Sequence, residues 1–234
     1  NARASFCILA ASLTFACMLT AQEMPAGLMK RVIERETENE AARNQYMYRQ
    51  TVVVEDFAGQ FREVREVIFS PKGERSEEVI GKPVNTLKKL TLTEEDIRDV
   101  REIQPMLVTR ENAFLYETKF RGEEELRGVP CWLIQIRPRQ ILSGQRLFDG
   151  MLWVAQSDNS IIQTSGQAVP QIITKKSENL FPHFTTVREK FDDKYWFPVN
   201  TSGDDVLQFR TGPQRIRLTI RYANYKRFRA ETRI

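Results

Sequence analysis

The spacing of apolar residues changes several times along this chain, and each change marks an expected element. Residues 6–19 (FCILAASLTFACML) form an apolar run without a charge. From Pro25 to about Asn44, Leu28, Val32 and Ile33, then Ala41 at weaker spacing, predict one buried helical stripe among charged residues. The period then shifts to two. Residues 46–54 (YMYRQTVVV) are aromatic and β-branched, as a strand requires. Asp56-Phe57-Ala58-Gly59 supplies a turn, 61–69 a second alternating strand, Pro71-Lys72-Gly73 another turn, and 77–80 a short third strand. A second helix is expected near Thr93, where Thr93-Glu94-Glu95-Asp96 offers an N-cap hydroxyl and acids in the first turn. Ile97, Val100, Ile103 and Leu107 recur three and four apart, and Pro105 ends this helix or bends its last turn.

Strands then resume, at 114–120, 125–128, 131–137, 148–156, 160–167, 184–191, 195–201, 206–211 and 214–222. Ser157-Asp158-Asn159, Asp192-Asp193, Ser202-Gly203-Asp204-Asp205 and Gly212-Pro213 separate them with hairpin chemistry. Such short links force antiparallel neighbours, because a parallel crossover needs a dozen or more residues. The expected fold is α+β: one large curved antiparallel sheet with two or three helices covering a face. In the last strand Ile216, Leu218, Ile220 and Tyr222 point one way, and Arg215, Arg217, Thr219 and Arg221 the other. Trp132-Leu133-Ile134 and Met151-Leu152-Trp153-Val154 are apolar on both sides. Either helices cover one face while the other folds inward, or the sheet encloses an apolar cavity.

Composition narrows the partners. Among 234 residues, 41% are hydrophobic and 28% charged, an ordinary globular balance. Lys and Arg number 35 against 31 acids, and a net +4 is too small to make nucleic acid the default partner. As a helix, residues 6–19 span about 21 Å, short of the ~30 Å hydrocarbon core. Arg3 precedes the run and Leu19-Thr20-Ala21 follows it, so 1–21 reads as an export signal and 22–234 as a single domain. A lipoprotein signal ending at Cys17, with a lipid anchor there, is the variant reading. Cleavage after Ala21 removes Cys7 and Cys17 and leaves Cys131 without an intramolecular partner.

Candidates for catalysis are few. His183 is the only histidine, and no nucleophile elbow, His-Glu-x-x-His, Rossmann or Walker motif occurs. His183, between Pro182 and Phe184 at a strand start, reads as structural, and Cys131 as a small core residue. Turn chemistry accounts for Asp192-Asp193 and Asp204-Asp205, and a solvated strand edge for Glu123-Glu124-Glu125. The expectation is no catalytic residue, no metal site, no cofactor and no enzyme. An overlooked enzyme site would centre on Glu94, Glu95 or His183. Lys226, Arg227, Arg229 and Arg233, interleaved with Tyr225 and Phe228, could hold phosphates of lipid headgroups or lipopolysaccharide, but read first as a solvated outer face with arginine stems over aromatics.

An export signal, a first helix, Tyr46-x-Tyr48-Arg49-Gln50 opening a long sheet, a second helix after three strands, and hairpins to the end resemble the LolA-like superfamily. Its members are periplasmic outer-membrane lipoprotein carriers and relatives that include RseB/MucB-type sensor domains. The segments carrying the resemblance are Gly150-Met151-Leu152-Trp153-Val154, Asn179-Leu180-Phe181-Pro182-His183-Phe184 and Tyr195-Trp196-Phe197-Pro198. The resemblance implies a periplasmic protein with an unclosed half-barrel, helices as a lid, and an apolar concave face that takes lipoprotein acyl chains or another lipid. It implies peripheral membrane contact and a membrane-bound donor or acceptor protein. The alternative it implies is a sensor that binds a membrane regulator and responds to lipid or lipoprotein. The family's lid-gating arginine motif does not occur here, and Arg49 does not match it residue for residue. The residues expected to line the cavity are Trp132, Ile134, Ile136, Trp153, Phe197, Leu218 and Ile220, with Ile97, Val100 and Ile103 as the underside of the lid.

Overall fold

The computed structural model describes residues 23–70, 74–102, 108–141, 146–174 and 178–227. The export signal expected over 1–21, Ile103, Pro105, Leu107, Phe228, Arg229 and Arg233 lie outside the described residues. Among the described residues there are two α-helices, Leu28–Arg43 (α1) and Glu94–Glu102 (α2). The strands are Tyr46–Glu55 (β1), Gln60–Phe69 (β2), Arg75–Val79 (β3), Val84–Asn85 (β4), Tyr116–Leu126 (β5), Val129–Pro138 (β6) and Leu147–Ala155 (β7). They continue as Ile161–Val169 (β8), Ile172–Ile173 (β9), Glu178–Asn179 (β10), Phe184–Phe191 (β11), Tyr195–Phe209 (β12) and Gly212–Arg227 (β13). A short 3₁₀ turn, Ala113–Leu115, precedes β5. Among the described residues no helix is long and apolar enough to cross a membrane.

One antiparallel sheet contains eleven strands in the order β3-β2-β1-β13-β12-β11-β8-β7-β6-β5, with β4 also paired to β2. It does not close, since β3 and β5 are its two edges. The first and last long strands lie side by side, Val52 opposite Ile220 and Val54 opposite Leu218. One hydrophobic cluster runs from Phe61 and Phe69 on β2 through Leu218 and Ile220 on β13 to Ile134 and Ile136 on β6, and takes in Leu28, Val32 and Val100 from the two helices. The sheet therefore curves around one inner face, and both helices lie on it. On β13, Ile216, Leu218, Ile220 and Tyr222 are buried and Arg215, Arg217 and Arg221 exposed, the sidedness read from alternation.

Three elements differ from expectation. The polar run Ser202-Gly203-Asp204-Asp205 is not a turn, because β12 continues through it from Tyr195 to Phe209. Asp204 faces Arg217 across the β12–β13 ladder, and Arg215 Nε and Nη2 donate to its carboxylate at 2.7 and 2.8 Å. Cross-strand pairing satisfies the charge that suggested a turn. Gly203 is required there, since a Cβ would stand 2.6 Å from the His183 carbonyl oxygen on the segment leading into β11. The two strands expected over 114–120 and 125–128 are one strand, β5, from Tyr116 to Leu126, with a register shift between Phe120 and Gly122.

The third difference is the buried face of α1. It runs Leu28, Val32, Glu36, Asn39, Ala42 and Arg43, whereas Ile33 is half-buried and Ala41 exposed. These positions keep helical spacing but change from apolar to polar, so hydrophobicity marked only the first half of the stripe. The polar half is buried because it is paired: Arg188 on β11 donates to both carboxylate oxygens of Glu36 at 2.8 Å. The Asn39 side-chain oxygen accepts from the Trp196 backbone N–H at 3.3 Å.

Candidate functional site

A cavity of about 360 Å³ opens at one end of the inner face. Its floor is Val54 of β1, Leu207 and Phe209 of β12, and Ile216 and Leu218 of β13. Leu90, Leu92 and Val100 cover it from the approach to α2 and from α2 itself, and Leu180, Phe181 and Pro182 close one side. Lys89, Asp96, Glu178, Arg210 and Gln214 add polar groups to this apolar lining. A cleft of this size falls within the roughly 300–1,000 Å³ range typical of small-ligand sites, and its apolar lining favours a ligand part that leaves water.

The cover is held by polar contacts at its two margins. Thr93 caps α2: its backbone N–H and hydroxyl donate to Asp96 Oδ2 at 2.8 and 2.7 Å, and the Asp96 N–H donates back to Thr93 Oγ1 at 3.1 Å. On one side Arg101 donates to Glu63 of β2, at 2.7 Å to Oε2 and 2.9 Å to Oε1. Glu63 also receives Arg65, and Arg65 reaches on to Glu77 of β3. On the other side Asp99 accepts from Asn179 Nδ2 of β10 at 2.9 Å and from Arg146 Nε at 3.3 Å. Arg146 in turn lies 5.1 Å from the ring centre of Phe181, a cavity wall residue.

The approach to α2 is pinned from below by Asp56. Its Oδ1 accepts the Ala58 and Gly59 N–H groups at 2.9 and 2.7 Å. Its Oδ2 accepts Lys88, Lys89 and Leu90 at 2.7, 2.7 and 3.3 Å. Burial opposes ionisation of Asp56, but the backbone donors of Lys89, Ala58, Lys88 and Leu90 outweigh it and hold the carboxyl well below the usual range. The turn between β1 and β2 and the segment that roofs the cavity are therefore one unit.

Of the residues expected at the site, Leu218 and Val100 stand on the cavity wall. Ile97 packs half-buried against the central cluster, and Ile103 lies outside the described residues. Ile134, Ile136 and Ile220 face the same side of the sheet but are fully buried in its core, with Trp132 at the margin against Phe120. Phe197 belongs to a separate cluster with Ala42 and Tyr46. Trp153 packs into a third cluster with Cys131, Ala155 and Ile162. That separation accounts for the doubly apolar central strands, whose two sides serve two clusters.

Leu90, Leu92, Leu180, Phe181, Leu207 and Phe209 line the cavity without having been expected to. Their signal was faint: alternating leucines in Leu90-Thr91-Leu92-Thr93 just ahead of a cap, and an aromatic-proline segment at 179–184.

The groups considered for catalysis are dispersed. His183 is exposed, and only its backbone N–H donates, to Asp205 at 3.3 Å. Burial raises the Cys131 thiol above its ordinary range, which keeps it protonated and unreactive, and its S–H donates to the Val129 carbonyl at 3.3 Å. Glu94 and Glu95 are exposed in the first turn of α2. Among the described residues no group of three or more His, Cys, Asp or Glu side chains is placed to hold a metal. Arg49 pairs with Glu66 of β2 at 2.6 Å on the face opposite Gln50, which is buried on the inner side.

No family model and no curated protein matches the sequence. Among solved structures the chain is similar to a LolA superfamily protein from Nitrosomonas europaea, with 13% identity, a TM-score of 0.41, and 86% of this chain and 94% of that one covered. It is similar to a domain described as an outer-membrane lipoprotein-sorting protein from Vibrio parahaemolyticus, at 10% identity and a TM-score of 0.38, covering 88% and 94%. It is also similar to a structure of the MucA/MucB complex from Pseudomonas aeruginosa, at 11% identity and a TM-score of 0.25, covering 88% and 100%.

Proposed function

We propose that this protein is an exported, non-enzymatic carrier that holds a lipoprotein acyl chain or another lipid in the cavity under α2 and hands it on towards the outer membrane. The observation that carries this reading is the cavity itself. Apolar side chains stand on its floor, cover and side with polar groups among them, and its cover is joined to the sheet by ion pairs at the margins. Each buried methylene contributes about 0.8 kcal/mol, so an acyl tail binds without a charged anchor. A carrier must also release, and a cover held by a few side-chain pairs rather than by strand pairing opens without unfolding the sheet. A volume of about 360 Å³ suits one tail rather than a bundle of them. The carrier works in the periplasm, touches membranes peripherally and exchanges its cargo with a membrane-bound donor or acceptor protein.

The test is native mass spectrometry with solvent extraction, on protein purified from the periplasm without detergent. The expected result is a reproducible adduct of single acyl-chain or phospholipid mass that is lost in Phe209→Ser. An adduct-free protein that also takes up no fluorescent fatty acid would refute the proposal.

A second reading, a sensor module that binds a membrane regulator, is favoured by the β3 edge of the sheet. Val79 on β3, Ile80 just after it and Val84 on β4 are each about 40–45% exposed, and an edge strand offers unpaired backbone groups to an added strand. Pull-down of one membrane regulator, abolished by Val79→Lys and unaffected by Phe209→Ser, is the result that separates it from the carrier.

A further inference from the structure

The turn between β1 and β2 bears the most exposed large apolar side chain in the described residues, Phe57, at 73%. Free energy favours covering such a ring, yet nothing in the fold covers it. It does not sit on a loose tip. The five backbone N–H groups gathered by Asp56 tie its turn to residues 88–90. Gly59 packs so closely on the neighbouring segment that a Cβ would stand 1.9 Å from the Thr86 carbonyl oxygen. Thr86 also exchanges hydrogen bonds with Gln60, its Oγ1 accepting from the Gln60 N–H at 3.0 Å.

The same unit presents two adjacent lysines, Lys88 and Lys89, both exposed. The Lys89 ammonium lies 5.9 Å from the centre of the Phe57 ring, and Lys89 also stands at the cavity. Asp56 keeps its charge but directs both oxygens to backbone donors, so with Lys88 and Lys89 exposed the unit is left net positive. An exposed aromatic ring with one ammonium beside it and a second exposed lysine next in the chain, on a rigid support, matches the boundary layer of a bilayer, where the ring enters the headgroup region and the lysines meet anionic headgroups.

We infer that this surface, Phe57 with Lys88 and Lys89, docks the protein on anionic lipid bilayers and sets the cavity mouth against the membrane. The inference extends the carrier reading but is tested apart from it. Because the segment that carries Lys88 and Lys89 continues into residues 89–93 at the cavity, docking places the cover where a lipid enters or leaves.

The experiment is co-flotation of the protein with vesicles of phosphatidylcholine alone, and with vesicles of equal parts phosphatidylcholine and phosphatidylglycerol. Expected are binding to the anionic vesicles at least about tenfold tighter than to the neutral ones, and weakening as salt is added. Phe57→Ser and Lys88→Glu, both at exposed positions off the cavity wall, each lower that binding by about fivefold or more while fatty-acid uptake in vesicle-free solution is unchanged. Equal binding to both vesicles, binding to neither, or variants that bind as the wild type does would overturn the inference. So would binding confined to native membranes and lost when these are stripped with protease, which assigns the surface to a protein partner. Loss of fatty-acid uptake with anionic binding retained would remove the carrier reading and leave the docking surface standing.

Discussion

Arg188 on β11 and Glu36 on α1 form a two-pronged ion pair, with 2.8 Å between each guanidinium nitrogen and its carboxylate oxygen, and neither side chain reaches solvent. The pair joins residues 152 positions apart and fixes α1 on the inner face of the sheet. Two charges taken out of water are costly unless each satisfies the other, so the geometry is strict.

Breaking this pair is expected to destabilise strongly. Glu36→Ala alone should lower unfolding stability by about 3–5 kcal/mol, because it leaves a buried guanidinium without its carboxylate. The double variant Glu36→Leu/Arg188→Met should recover most of that loss, since two apolar groups replace two charges. Urea denaturation of the three proteins measures both steps, and a double variant no more stable than the single one would contradict the account.

The cover should respond to its marginal pairs. Arg101→Met removes the donor to Glu63 and should speed release of a bound fluorescent fatty acid by about tenfold, the equivalent of one charge-assisted hydrogen bond of about 1.5 kcal/mol. Asp99→Asn, which weakens the contacts to Arg146 and Asn179, should act in the same direction. Stopped-flow displacement gives the rates, and release unchanged in both variants would separate α2 from gating.

Cavity and core substitutions should part company. Phe209→Ser, at a half-buried wall position, should weaken fatty-acid binding by about tenfold or more and leave the fold intact. Ile134→Glu, at a fully buried position off the cavity wall, should instead unfold the protein, because an unpaired carboxylate has no partner there. Circular dichroism beside a binding titration distinguishes the two outcomes.

Acid should loosen the roof of the cavity. The Asp56 carboxyl is held below its unfolded-state range, so its contribution is fully present above the unfolded value near pH 4 and is lost as pH falls from there through the folded value. Hydrogen-exchange protection at the Lys88, Lys89 and Leu90 amides, corrected for intrinsic rates, should therefore hold at neutral pH and decline below about pH 4. In Asp56→Asn the protection should be low throughout and lack this dependence. Equal protection in the two proteins at pH 7 would deny the carboxylate its anchoring role.

Where local pattern and local chemistry coincide, the sequence carried the answer. Alternation along β13 assigned its buried and exposed sides, because a strand places successive side chains on opposite faces whatever it packs against. Thr93 and Asp96 marked the start of α2, since a cap is made within four residues. Short polar links made neighbouring strands antiparallel for a purely geometric reason.

The cavity was legible only in part. Leu218 and Val100 were expected at it, but Leu90, Leu92, Leu180, Phe181 and Phe209 come from loops and strand ends whose hydrophobicity has no period. An apolar residue in a strand also reads the same whether it faces a core or a cavity, which is why Ile134 and Leu218 looked alike. The polar run 202–205 read as a turn because its partners, Arg215 and Arg217, lie on another strand.

By itself, then, the sequence determined the class of the fold, the antiparallel sense of its hairpins, the sidedness of its strands and the cap of its second helix, all consequences of bonds and sterics within a few residues. Only the tertiary structure decided that β1 lies against β13, that the polar half of α1 is buried on Arg188, and that Asp56 binds Phe57's turn to the roof of the cavity. These contacts join residues far apart in the chain, and their free energy depends on burial that exists only once the sheet has curved around its inner face.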